Sequence, residues 1–172
     1  MARTLFRAAL VAAATFAVPG LAQAHFHLDE PANWITQMEN GDPQKTGPCG
    51  ALMEANKTYT ASGTVTPFKA GDTVTIKLEE TVAHPGHYRV ALAVEDRSGL
   101  PPEPTVTKKD DSMNGQCGSV PIMDPPVFPV LADGQLKHTS TLNGQQTITV
   151  KLPDDIECEK CTLQILEFMS NH

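Results

Sequence analysis

DTVTIKLEE, residues 72–80, decides the fold class. Val74, Ile76 and Leu78 alternate with Thr73, Thr75 and Lys77, the period of a strand with one buried face. QTITVKLP, residues 146–153, repeats the pattern with Ile148, Val150 and Leu152. YRVALAVED (88–96) and CTLQILEFM (161–169) are apolar on both faces, as strands covered on both sides should be. Gly71-Asp72, Asp133-Gly134 and Asn143-Gly144 read as turns between strands. No segment carries a convincing helical period. The expected fold is therefore all-β, an immunoglobulin/fibronectin III-like β-sandwich. Two Pro- and Gly-rich stretches, 29–56 and 99–130, read as long loops on it.

Upstream of the strands, MARTLFRAALVAAATFAVPGLAQA (1–24) has the order of a secretory signal. Arg3 and Arg7 precede an Ala-rich apolar run, Pro19-Gly20 breaks it, and Ala22-Gln23-Ala24 supplies the small residues of a cleavage site. The run is too short for a membrane span. Cleavage between Ala24 and His25 would leave 25–172 as a single domain, secreted or periplasmic. A monomer is expected. Loss of the two arginines takes the net charge from −7 to −9 (11 − 20), against the basic surface of nucleic-acid binders.

That cleavage changes the chemistry of AQAHFHLDEP, residues 22–31. A chain beginning at His25 offers one residue with two nitrogens, the α-amine and the imidazole. The amine's pKa lies near 8, so a metal displaces its proton at neutral pH at small cost. A second imidazole would complete a planar three-nitrogen site, which favours Cu(II). EETVAHPGHYRVALA (79–93) supplies His84 and His87, held by a Pro-Gly turn beside a strand. Two ordinary loop histidines would be the competing explanation for either alone.

Here the chain resembles the lytic polysaccharide monooxygenases and their histidine-brace relatives, most closely a bacterial branch. The resemblance runs through HFHLDEPANWITQ, GDPQKTGPCG, HPGHYRVALAVEDRS, DPPVFPVLADG and CEKCTLQILEF, nearly all of the processed chain. His84-Pro85-Gly86 and Tyr88 match the setting of the family's second ligand and single out His84 over His87. The resemblance implies one copper ion on His25 and His84, an external electron donor, and oxidative cleavage of a polysaccharide such as chitin or cellulose. His87 and Arg89 would orient the oxygen species, and Trp34 is the candidate for the substrate surface, with a core position as its alternative. The family usually continues into one more strand, so the expected chain is a fragment whose axial copper residue has no candidate.

Four cysteines in an exported chain point to disulfides, and composition leaves all three pairings open. Zinc on Cys158 and Cys161 lacks a full ligand set, with only His172 nearby. The resemblance implies Cys49–Cys117 as the internal pair and leaves Cys158 and Cys161 without their usual partners.

Three other readings compete. A periplasmic copper carrier could use the same brace without oxidising anything, and the scarcity of aromatics suits it. His27, third from a free amine, could close a chelate through the backbone amides of Phe26 and His27. A carbohydrate-binding module without metal is the last. Serine hydrolases are disfavoured, since no Gly-x-Ser-x-Gly elbow occurs.

Overall fold

The computed structural model describes residues 25–39, 41, 60–102, 104–105, 107–108 and 117–170. Residues 1–24, read above as a secretory signal, Cys49, the side chain of Cys117, and His172 lie outside the described residues. The elements are β1 (His25–Glu30), β2 (Thr73–Val82), β3 (Gly86–Ala93), a single 3-10 turn (Arg97–Gly99), β4 (Thr107–Lys108), β5 (Cys117–Ser119), β6 (Val130–His138), β7 (Gln145–Lys151) and β8 (Thr162–Met169).

Two antiparallel sheets of three strands carry the fold, in the orders β1-β2-β7 and β6-β3-β8. The alternation of residues 73–78 is realised: Val74, Ile76 and Leu78 are fully buried. They pair with Val150, Ile148 and Gln146 across the β2–β7 ladder. Ile148 and Val150 join Phe26, Tyr88 and Val90 in one core cluster between the sheets. Each such aliphatic side chain contributes roughly 1.5–3 kcal/mol by leaving water. Strand β3 is the middle strand of its sheet and is buried along its whole length. Its inner face carries Tyr88 and Val90; Ala91 and Ala93 pack with Leu100 in a separate cluster. This is why its sequence is apolar on both faces.

Two turn expectations hold, with Gly71 and Gly144 at positive φ outside the strands. Asp133-Gly134 corrects the third. These residues lie inside β6, where Gly134 has φ 66° and the register against β3 shifts between Tyr88 and Val90. The same glycine chemistry makes a bulge in a continuous strand here. Among the described residues, no helix is long and apolar enough to cross a membrane.

Cys158 and Cys161 are disulfide-bonded to each other across the β7–β8 connection, with Cα atoms 5.8 Å apart. Their pairing, left open by the sequence, is thus with each other: three residues of separation in a tight turn suffice to bring the two together. Their sulfurs bind each other and supply no zinc ligand.

Candidate metal centre

Antiparallel pairing gathers histidines at one end of the sandwich. His25 opens β1 opposite Val82, and His84 follows two residues later (84 − 82) in the β2–β3 connection. Gly86, at the start of β3, pairs with His138 at the end of β6 and with Met169 at the end of β8. His25, His84, His87 and His138 therefore share one end, although up to 113 positions separate them in the chain (138 − 25). Gly86 is required there, because a Cβ would collide with the carbonyl of Phe168.

His25 is buried, and its carbonyl accepts a hydrogen bond from Thr81 Oγ1 at 3.1 Å. It borders a cleft of about 1530 Å³ between edge strands β1 and β8, together with Phe26, Leu28, Ile165 and Glu167. His27 does not border that cleft. Its Nδ1 is 2.9 Å from Asp29 Oδ1, and its Nε2 is 3.4 Å from Gln37 Nε2. The register irregularity between His25 and Phe26 separates the two histidines that simple alternation places on one face.

Beneath His84 lies a buried cluster of Glu80, His138 and Glu167, whose ligating atoms fall within 4.8 Å of one another and could hold a metal ion. Sequence reasoning missed all three. A signal for Glu80 existed: it continues the inward series Val74, Ile76, Leu78. Glu167 likewise follows Leu163 and Ile165, which pack on the core. His138 Nδ1 donates to the Leu136 carbonyl at 2.7 Å. Its Nε2 donates to the His84 carbonyl at 2.6 Å and lies 3.1 Å from Glu80 Oε1. A ring with acceptors at both nitrogens is an imidazolium. Burial opposes that charge, but the Leu136 carbonyl, the Glu80 carboxylate and the His84 carbonyl outweigh it and raise the pKa. In this arrangement both ring nitrogens of His138 donate, so holding a metal there would require one of them to give up its carbonyl.

Glu80 Oε1 also accepts from the His84 amide at 3.3 Å, and Oε2 from the Leu142 amide at 3.0 Å. Glu167 faces this carboxylate. Burial first, and then the charge of Glu80, push its pKa up to about 7. Burial and the same two carboxylates raise Tyr88 as well, whose ring stacks on His138 with centroids 6.3 Å apart.

His87 and Arg89 belong to another cluster. Arg89 Nη2 donates to Asp133 Oδ2 at 2.6 Å, with both side chains almost wholly buried, which excludes an exposed position for Arg89. His87 Nε2 is 3.6 Å from Asp133 Oδ1. The Arg89 guanidinium lies 4.7 Å from the centroid of the Phe168 ring. Burial alone would raise the Asp133 pKa, but Arg89 and the amides of Met123 and Gly134 hold it below the usual carboxylate range. Burial keeps His87 below the usual imidazole range.

Trp34 follows the end of β1 by four residues (34 − 30) and lines the cleft that His25 borders. The guanidinium of Arg97 lies 4.0 Å over its ring. The exposed aromatics Phe68 and Phe128 precede β2 and β6, and Phe68 lines the same cleft. The chain matches no protein-family model, no curated protein and no solved structure.

Proposed function

We propose that the chain is exported, cleaved between Ala24 and His25, and then binds one copper ion through the His25 amine and imidazole and the His84 imidazole. One observation carries this reading: the fold brings His25, at the first position of β1, to the strand end from which His84 follows. The donor set is chemically suited to copper, being nitrogen-rich and neutral once the amine loses its proton. Copper in such a site would supply a centre that cycles between Cu(II) and Cu(I) and activates oxygen or peroxide. With electrons from an external donor, the reaction implied by the family resemblance is hydroxylation at a glycosidic carbon of chitin, cellulose or a related polysaccharide. The part of the chain is to hold His84 rigidly and to keep His25 at the start of a paired strand.

Copper titration of the correctly processed protein tests the reading, with the Cu(II) spectrum followed by electron paramagnetic resonance. A nitrogen-rich tetragonal signal is expected, lost or strongly altered in His84→Ala. An unchanged affinity and spectrum in that variant would end the brace. An added N-terminal residue should also abolish the site.

A carrier reading has one observation in its favour. Aromatic candidates for gripping a sugar chain are few: among the described residues Phe68 and Phe128 are the exposed ones, and of these only Phe68 shares with Trp34 the cleft that His25 borders. Incubating copper-loaded protein and a reductant with chitin, cellulose and hemicelluloses separates the two. Oxidised oligosaccharides support the monooxygenase; their absence on every substrate supports the carrier.

A further inference from the structure

We infer that Glu80 and His138 are positioning residues that clamp the backbone of His84 into the geometry a metal ligand needs. This deepens the copper reading and rests on His84 being a ligand.

Consider where the polar backbone groups of the β2–β3 connection go. The His84 amide donates to Glu80 Oε1 at 3.3 Å, and the His84 carbonyl accepts from His138 Nε2 at 2.6 Å. The next carbonyl, of Pro85, accepts from the Ser170 amide at 2.7 Å and from Ser170 Oγ at 3.1 Å. Three successive groups of a short loop are thus held by side chains and backbone from β2, β6 and the end of β8. Loops usually leave such groups to water. A ligand on an unanchored loop loses conformational freedom when it binds metal, and that loss weakens binding. The clamp removes this cost before the metal arrives.

The identity of Glu80 points the same way. It occupies the fourth inward position of β2, after three fully buried aliphatic residues. A carboxylate there is expensive, and an apolar residue of similar volume would often be as stable or more so. What it supplies, and a leucine could not, is acceptors for the amides of His84 and Leu142 and a partner for His138. His138 in turn has its Nδ1 fixed on Leu136, so the ring is aimed at the His84 carbonyl. Partners that orient a metal ligand matter nearly as much as the ligand: losing one typically costs about 10–100-fold in metal affinity.

The test compares His138→Gln with His138→Asn, and both with His84→Ala, in processed protein of the full encoded length. A glutamine side chain reaches far enough to donate to the His84 carbonyl; asparagine is one methylene short. Copper affinity and the Cu(II) resonance spectrum are read, with thermal unfolding as the control for folding. The expected result is near-wild-type binding for His138→Gln. His138→Asn should lose about 10–100-fold with a broadened or shifted spectrum while remaining folded. Two further outcomes overturn the clamp. If His84→Ala destroys binding while folded His138→Asn matches wild type in both readouts, His84 is a ligand that needs no positioning. If His84→Ala binds normally while both His138 variants bind nothing, the copper reading has failed and the metal belongs to Glu80, His138 and Glu167. Should His138→Asn not fold, Glu80→Gln takes its place. That substitution keeps an acceptor for the His84 amide and removes the charge that holds His138, so an unaltered spectrum would sink the proposal.

Discussion

Strand β3 separates two buried ionic clusters that look alike and do different work. Under the β2–β3 connection, Glu80, His138 and Glu167 form a group with one imidazolium and two carboxyls. The other cluster sets Arg89 against Asp133, with neutral His87 beside them. Each contains a carboxylate side chain with no exposure to water. The Asp133 cluster is balanced in charge and ties the Pro-rich loop to the sheet through the Met123 amide. The Glu80 cluster has a carboxyl in excess and ties down the backbone of His84. A buried charge is weak evidence for stability in itself. Its value lies in which backbone it holds, and here one cluster holds a covering loop and the other a candidate ligand.

The largest expected effect breaks that comparison at its structural side. Asp133→Ala leaves Arg89 buried without its partner and frees the Met123 amide, and should cost about 3–5 kcal/mol of stability by urea unfolding. The copper affinity of the molecules that remain folded should not change. If it fell as far as in His138→Asn, the two clusters would be one functional unit and the distinction would be false.

A smaller effect, opposite in pH sense, sharpens it. Glu167 has its pKa raised to about 7 in the fold, against 4.5 as the reference. Its contribution is therefore complete below the reference pKa and is lost as pH rises towards and through 7. Glu167→Gln should flatten the stability profile over that window and make the protein more stable than wild type at pH 8, by at most about 3 kcal/mol. Asp133 works the other way: its pKa is lowered, so its contribution is present at neutral pH and lost on acidification through the folded value. If Glu167→Gln left the pH profile unaltered, Glu167 would be ionised in the fold and the excess charge of its cluster would need another explanation.

The legibility of these two regions in the sequence also differs, for a physical reason. Strand β2 could be read because burial on one face imposes alternation on Val74, Ile76 and Leu78. Strand β3 could be read because both of its faces are covered. The bulge at Gly134 could not, since a glycine at positive φ serves a turn and a bulge equally. His25 and His84 stood out through local sequence signals, the Ala-Gln-Ala pattern expected of a cleavage site and a His-Pro-Gly turn. Glu80, His138 and Glu167 have no local signal of kinship, because their meeting is made by register between β2, β6 and β8. Only the violation of an apolar row hinted at two of them. The grouping of Arg89 with Asp133 was hidden in the same way, 44 residues apart.

The smallest expected effect concerns His27, which sequence alone places on a par with His25. A terminal chelate through His27 needs the amides of Phe26 and His27 deprotonated and bound to metal. The structure pairs Phe26 with Glu80 and His27 with Glu79 in the β1–β2 ladder, on the strand next to the core. Breaking that pairing would unseat Phe26, whose ring meets Tyr88 edge-on at 5.5 Å. The side chain of His27 contributes a long contact with Gln37 and a partly exposed one with Asp29, the latter a kind of pair usually worth under about 1 kcal/mol. His27→Ala should therefore shift the unfolding midpoint slightly and leave copper affinity and the resonance spectrum as they were. If copper binding vanished instead, the amides of β1 would have to leave the ladder on metallation. The same strand that carries His25 would then be a chelating arm, released from the sheet by the metal it binds.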